Sequence, residues 1–296
     1  TLDQVAIESF SWAAEQGADI ISNSWGPPDG GGAMDMGQPL KDLVFNLTTT
    51  GRNGKGIIIM FAAGNGNESI ETDGFASNPN VFAIGSTNAS GNRASYSDFG
   101  NSLDFMAPSN DMETGSGGDG WGGSYIDGIW TTDNTDGGYN PGQLAGDQSG
   151  KYISEFGGTS SSCPLAAGIT GLVLAANPEL TRDQVYEVYK MTSDKVGDMP
   201  YDMNGFNTHY GFGRLNACEA VKKAIEIKGV DVSGIVCGES DHDFGKDTPD
   251  PEDIDADVET PDDDKDTPDD FDDVFSDDDV SLRKKDGGCS CSFLNI

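Results

Sequence analysis

The sequence predicts an α/β domain built on a mainly parallel sheet, followed by an acidic tail that has no core. Three observations carry this expectation. Residues 56–63, GIIIMFAA, form a continuous apolar and β-branched run, the mark of a strand buried on both faces. Strand and helix signals alternate from residue 1 to about residue 228, the pattern of a parallel sheet covered by helices. Beyond residue 238 the composition changes: residues 239–280 hold 21 Asp and Glu against two Lys, in repeated DTPD and TPDD units. So much charge with so little apolar surface cannot collapse.

Taken in order, Leu2 to Gln16 reads as an amphipathic helix closed by Gly17, and Ala18 to Ser24 as a short buried strand. Leu40 to Thr49 has helical spacing. Gly56 to Ala63 and Val81 to Ser86 are strands. Residues 109–150 are rich in Gly, Asp, Asn and Ser and are expected to be irregular loops. Tyr152 to Phe156 is a short strand. Two helices follow, Pro164 to Ala176 and Arg182 to Thr192, the second announced by Thr181 as its N-cap and Asp183 in its first turn. Asn216 caps a last helix, Ala217 to Ile227. The expected organisation is a folded domain over 1–228, a connector over 229–238, a disordered linker over 239–285 and a cysteine-containing tail over 286–296.

The formal charge of −34 argues against a nucleic-acid partner, because phosphate binding needs basic patches. An acidic surface suits a cationic substrate or bound calcium instead. No run of 18 or more apolar residues stands out, so no membrane span is expected. The chain starts at Thr1, directly on a helical pattern, which reads as a fragment with further sequence upstream.

The stretch GGTSSSCPLAAG, residues 157–168, is the chemical centre of the chain. A serine there stands at the entrance of a buried helix, where unpaired N–H groups and the positive dipole end favour an anion. By itself such a stretch also reads as a plain glycine-rich turn feeding a core helix.

Five stretches decide between these readings. They are ADIISNSWGPPDGG (18–31), FAAGNGN (61–67), SYSDFGNSLDFMAPS (95–109), GTSSSCPLAAG (158–168) and YGFGRLNACEAV (210–221). In this order and spacing the chain resembles the subtilisin-like serine peptidases, leaning to their kexin and furin branch. The resemblance implies a three-layer fold with a mainly parallel central sheet, incomplete here, and hydrolysis of peptide bonds through an acyl-enzyme. It places Ser160 as the nucleophile, with Gly158 in its turn. Asn65 becomes the side-chain donor of the oxyanion hole, a contribution worth about 2.7–4 kcal/mol. Ser24, Trp25 and Gly26 become the extended segment on which a peptide or protein substrate lies, held by main-chain hydrogen bonds. Asp73 resembles the carboxylate that pairs with a basic residue before the cleaved bond. Asp29 and Asp98, with Glu68 or Glu71 as a third ligand, resemble a calcium site, and oxygen-only donors suit that ion.

A peptidase of this type needs an Asp–His pair that precedes the serine, and no such segment is present. The two histidines, His209 and His242, both follow Ser160. The expectation is that the fragment alone is inactive and that the missing pair lies upstream. A non-catalytic surface or calcium-binding scaffold derived from the same fold is the alternative. Of the five cysteines, Cys163 is expected to pack in the core, Cys218 and Cys237 to bridge in an oxidising compartment, and Cys289 and Cys291 to belong to a sorting tail. Together these point to the cell surface or the medium, with membrane anchoring only through a segment beyond Ile296.

Overall fold

A computed structural model of the chain describes residues 2–112, 125–126, 128–132 and 152–237. The acidic linker, the Cys289–Cys291 tail and His242 lie outside the described residues. At the centre is a four-stranded parallel sheet in the order β1-β2-β3-β4, made by β1 (Ile20–Asn23), β2 (Ile58–Ala62), β3 (Phe82–Thr87) and β4 (Phe105–Pro108). The strand β2 pairs on both sides, Phe61 opposite Asn23 and Ala83.

Period-two alternation along β2 builds the two halves of the core. Ile57, Ile59, Phe61 and Ala63 face one cluster with Phe10 of α1 (Leu2–Glu15) and Leu40, Val44 and Leu47 of α2 (Gln38–Gly54). Ile58, Met60 and Ala62 face the other, with Cys163, Ala166 and Val173 of α3 (Thr159–Ala176), Val185, Val188 and Tyr189 of α4 (Arg182–Thr192), and Ala220 and Ala224 of α5 (Ala217–Ile227). These are the three layers. Both faces of β2 are closed to water, which is why its sequence is unbroken in apolar residues.

The cap expectations hold at residue level. Thr181 accepts from the Gln184 N–H while the Gln184 side chain returns to the Thr181 N–H, a full capping box. Asn216 accepts from the Glu219 N–H at 3.0 Å. Gly17, at φ +84°, ends α1 in the left-handed region where glycine carries no Cβ penalty.

Four expectations need correction. The segment 109–150 is not wholly irregular: it contains β5 (Asp111–Met112), β6 (Tyr125–Ile126) and β7 (Ile129–Thr132). Strand β7 pairs antiparallel with β8 (Tyr152–Phe156), apart from the parallel sheet. Its glycine and asparagine content signals turns, and cross-strand pairing outweighs it locally. The strand β4 was hidden because its only apolar run, FMAP, is short and ends in proline. The helix α3 begins at Thr159, five residues before Pro164, so the proline lies inside it. By length and composition α3 also passes for a membrane span, yet Ser162, Cys163, Ala166, Thr170 and Val173 are buried against the sheet. It is the core helix of this domain. Finally, β1 is half-buried except for Asn23, as an outer strand of the four should be.

The buried Asp104, just before β4, ties this sheet to α4. It accepts from the Ala83 N–H at 2.8 Å and from the Tyr186 hydroxyl at 2.7 Å. Burial outweighs these bonds and pushes its carboxyl up to about 6. The folded state therefore holds a proton that the unfolded chain has already released between about pH 4 and 6, and stability falls as pH rises through that window. In Asp104→Asn this slope is expected to become shallower, leaving what the raised carboxyls of Asp73 and Asp98 contribute. Urea unfolding midpoints at pH 4, 5, 6 and 7 measure it.

Candidate active site

At the carboxyl ends of β1 and β2, where ligands bind in open α/β sheets, the chain forms a cleft. Ser24, Trp25, Gly26, Asp29, Asn65, Glu68, Asp73, Asp98, Thr159 and Ser160 line it. Nearly all the expected site residues thus meet in one place, though they span residues 24 to 160 of the chain.

The floor is the N-terminus of α3. Its N-cap, Gly158, takes φ +73°, and a Cβ there would press on the Asn65 amide at 3.3 Å. Asn65 follows β2 through Gly64. The Asn65 Oδ1 accepts from the Thr159 N–H at 2.8 Å and the Thr159 hydroxyl at 3.0 Å, and the Gly64 N–H is held by the same hydroxyl at 3.2 Å. With its oxygen taken, the Asn65 amide presents its NH₂ group as the remaining donor. The N–H of Ser160 is one of the orphan donors of the first helical turn. Thr159 was not singled out from the sequence. Its place between the two glycines and the serine was the signal: a hydroxyl at the first helical position adds a second donor to the one its main chain already gives the asparagine amide.

A buried polar network holds this turn from below. The Tyr96 hydroxyl accepts from the Gly158 N–H at 3.1 Å and lies 2.8 Å from both the Ser109 hydroxyl and the Asn110 Oδ1. Ser109 and Ser161 both donate to the Gly158 carbonyl, at 2.9 and 3.0 Å. Burial pushes the Tyr96 phenol up to about 12, so it stays neutral and keeps its proton to donate.

The walls carry the carboxylates. Trp25 packs its ring against the core, edge-on to Phe61 and Phe75 at 5.2 and 5.6 Å. Across from it, Asp73 Oδ1 accepts from the Phe75 and Ala76 N–H groups at 2.7 and 3.2 Å. Its Oδ2 faces Gly26, 3.1 Å from where a Cβ would stand. Partial burial holds this carboxyl above its ordinary range against those two bonds, and the nearby Asp29 charge adds to the shift.

One oxygen each from Asp29, Glu68 and Asp98 lies within 4.8 Å of the others. Glu68 Oε1 accepts from the Gly30 N–H at 2.9 Å, Asp29 Oδ1 from the Asn65 N–H at 3.2 Å, and Asp98 Oδ1 from the Glu68 N–H at 3.0 Å. A Cβ at Gly64 would overlap the Asp98 carboxylate, so only glycine lets the backbone pass. Burial first, then the charges of Asp29 and Glu68, push Asp98 up to about 7. No basic side chain forms an ion pair with any of the three among the described residues. The sequence left Glu68 and Glu71 open as the third ligand. Of the two it is Glu68 whose carboxylate lies with Asp29 and Asp98, while Glu71 accepts from the Ser102 N–H and hydroxyl at 3.0 and 2.7 Å.

His209 is not among the residues lining the cleft. Its ring stacks on Phe99 at 4.7 Å, and burial followed by the Arg93 charge holds its pKa below the ordinary value. Cys163 sits buried beneath the floor, 3.4 Å from the Ser22 hydroxyl, its thiol pushed up to about 11 by burial. Cys218 and Cys237 are disulfide-bonded.

Residues 1–213 match the profile of the subtilase family. The chain belongs to this family. It is 43% identical over 240 residues to the calcium-dependent protease of Trichormus variabilis, a match covering 76% of this chain and 35% of that one. It is 31% identical over 216 residues to the dibasic-processing endoprotease of Yarrowia lipolytica, covering 70% and 20%. Among solved structures, the fold is that of the serine protease of Aeromonas sobria, with a TM-score of 0.56, 22% identity, and 72% of this chain covered against 44% of that one. The chain therefore spans about a third of the length of the calcium-dependent protease. The relatives thus include a dibasic-processing endoprotease, in line with the resemblance to the kexin branch, and a protease named for calcium dependence.

The Tyr96 network makes a direct prediction. Tyr96→Phe leaves the Gly158 N–H only its second acceptor, the Asn110 Oδ1 at 3.2 Å, removes the Tyr96–Ser109 hydroxyl contact, and is expected to cost about 0.5–1.5 kcal/mol. Chemical denaturation compared with wild type measures it.

Proposed function

We propose that this subtilase is a serine endopeptidase of the kexin-like type, cleaving peptide bonds after basic residues. The observation that carries the reading is the Thr159–Asn65 clamp. It holds an amide donor beside the Ser160 N–H, two donors converging where the oxyanion of an acyl transfer would form. The Ser160 hydroxyl attacks the scissile carbonyl, the carbonyl π electrons move to oxygen, and Asn65 and the Ser160 N–H receive that charge. Collapse expels the amine and leaves Ser160 acylated, and water releases the acid. A histidine supplied from outside residues 1–296, itself oriented by an aspartate, takes the serine proton and returns it to the leaving amine. Without that pair, residues 1–296 alone do not turn over.

The substrate chain lies along Ser24–Gly26, on main-chain groups, and its basic side chain reaches Asp73. A half-buried carboxylate without a cationic partner favours Arg or Lys there. Asp29, Glu68 and Asp98 hold a calcium ion. The oxygen-only donor set, the like charges drawn together, and a relative named for calcium dependence support this. When bound, the ion neutralises the three carboxylates and braces the loops that carry Asn65 and Asp73. The two disulfide-bonded cysteines support an oxidising destination, the medium or the cell surface.

The test uses the whole protein containing these residues. A fluorophosphonate probe is expected to label wild type at Ser160 and to leave Ser160→Ala and the isolated residues 1–296 unlabelled. Rapid labelling of residues 1–296 alone would overturn the need for outside partners. Asp73→Asn is expected to lower kcat/KM on an Arg ester by about 100-fold, with little change on a neutral ester. Chelation with EGTA is expected to lower the Tm of wild type, calcium to restore it, and Asp98→Asn to abolish that response.

A further inference from the structure

Pro164 lies inside α3, where a helix would use the N–H of residue 164 to bond the carbonyl of residue 160. Proline has no N–H, and its ring crowds the carbonyl four residues back. The carbonyl so released is that of Ser160. It is not left to solvent: the Ser24 hydroxyl donates to it at 2.9 Å. Ser24 stands one residue beyond β1, among the residues lining the cleft. This bond ties that segment to the floor of the cleft at Ser160.

We infer that Ser24 is a positioning residue for Ser160, its side chain fixing the peptide plane of the nucleophile in place of the helix bond that Pro164 removes. This rests on the peptidase reading above and adds to Ser24 a role separate from its main-chain place in the substrate wall. A helix bond would tie the Ser160 carbonyl to its own helix. The Ser24 bond ties it to the strand that carries the substrate, so nucleophile and substrate share one frame. Misplacement by small distances is what such a frame prevents.

Proline itself supplies the test. In Pro164→Ala the helix regains an N–H for the Ser160 carbonyl, and Ser24 loses its purpose. In the whole protein, Ser24→Ala is expected to lower kcat and the rate of fluorophosphonate labelling by about five- to tenfold, the worth of one hydrogen bond, with KM within about twofold. Ser24→Thr, which keeps the hydroxyl, is expected to restore the rate. In the Pro164→Ala background, Ser24→Ala is expected to cost less than about twofold. An equal loss in both backgrounds, a loss confined to KM, or no loss at all would overturn the inference. If wild type itself resists the probe, the peptidase reading fails instead, and the two failures are told apart by that control.

Discussion

The site depends on how the first turn of α3 is anchored. A helix N-terminus carries unpaired donors, and the free energy of leaving them buried must be met somewhere. Here Gly158 gives its N–H to Tyr96 and receives two hydroxyls on its carbonyl, while Thr159 gives its N–H to Asn65. The Ser161 N–H also returns to the Gly158 carbonyl, at 3.1 Å, so the turn is tied down at three successive positions around Ser160. Tyr96, Ser109 and Asn110 come from the loops around β4, so the sheet places the network and the network places the serine.

The same economy governs charge. Asp98 lies beside Asp29 and Glu68, and its burial, with their charges adding to it, raises its pKa to about 7. Asp73 is half-buried facing a glycine. Neither arrangement is a means of stabilising a fold, since unpaired carboxylates brought out of water cost free energy. A cation would complete each of them, and under the function proposed above these are a divalent ion in one case and a basic side chain in the other. The backbone is adapted to this: Gly64 passes the Asp98 carboxylate where a Cβ would overlap it.

Much of this was legible in the sequence, for identifiable reasons. The buried strand β2 showed itself because both of its faces pack, and the caps at Thr181 and Asn216 because capping depends on residues three apart. Ser160, Asn65, Ser24–Gly26, Asp73 and the acidic trio were named on motif order alone, and the fold brings them to one cleft. What was missed depends on distant pairing. Strands β4 and β7 carry weak local signals and exist through their neighbours, and Thr159 matters only because Asn65 folds back to it from 94 positions away.

The sequence by itself determined the family and the three-layer, mainly parallel architecture, because those follow from local periodicity and short motifs, and it named the candidate reactive groups. Only the tertiary structure placed Glu68 rather than Glu71 with Asp29 and Asp98, packed the Trp25 ring against the core, and started α3 before its proline. These are matters of direction and of which partner is in reach. The Ser24–Ser160 bond is the clearest case. Its two residues stand 136 positions apart, and neither the lost helix bond nor its replacement can be read until strand and helix are side by side.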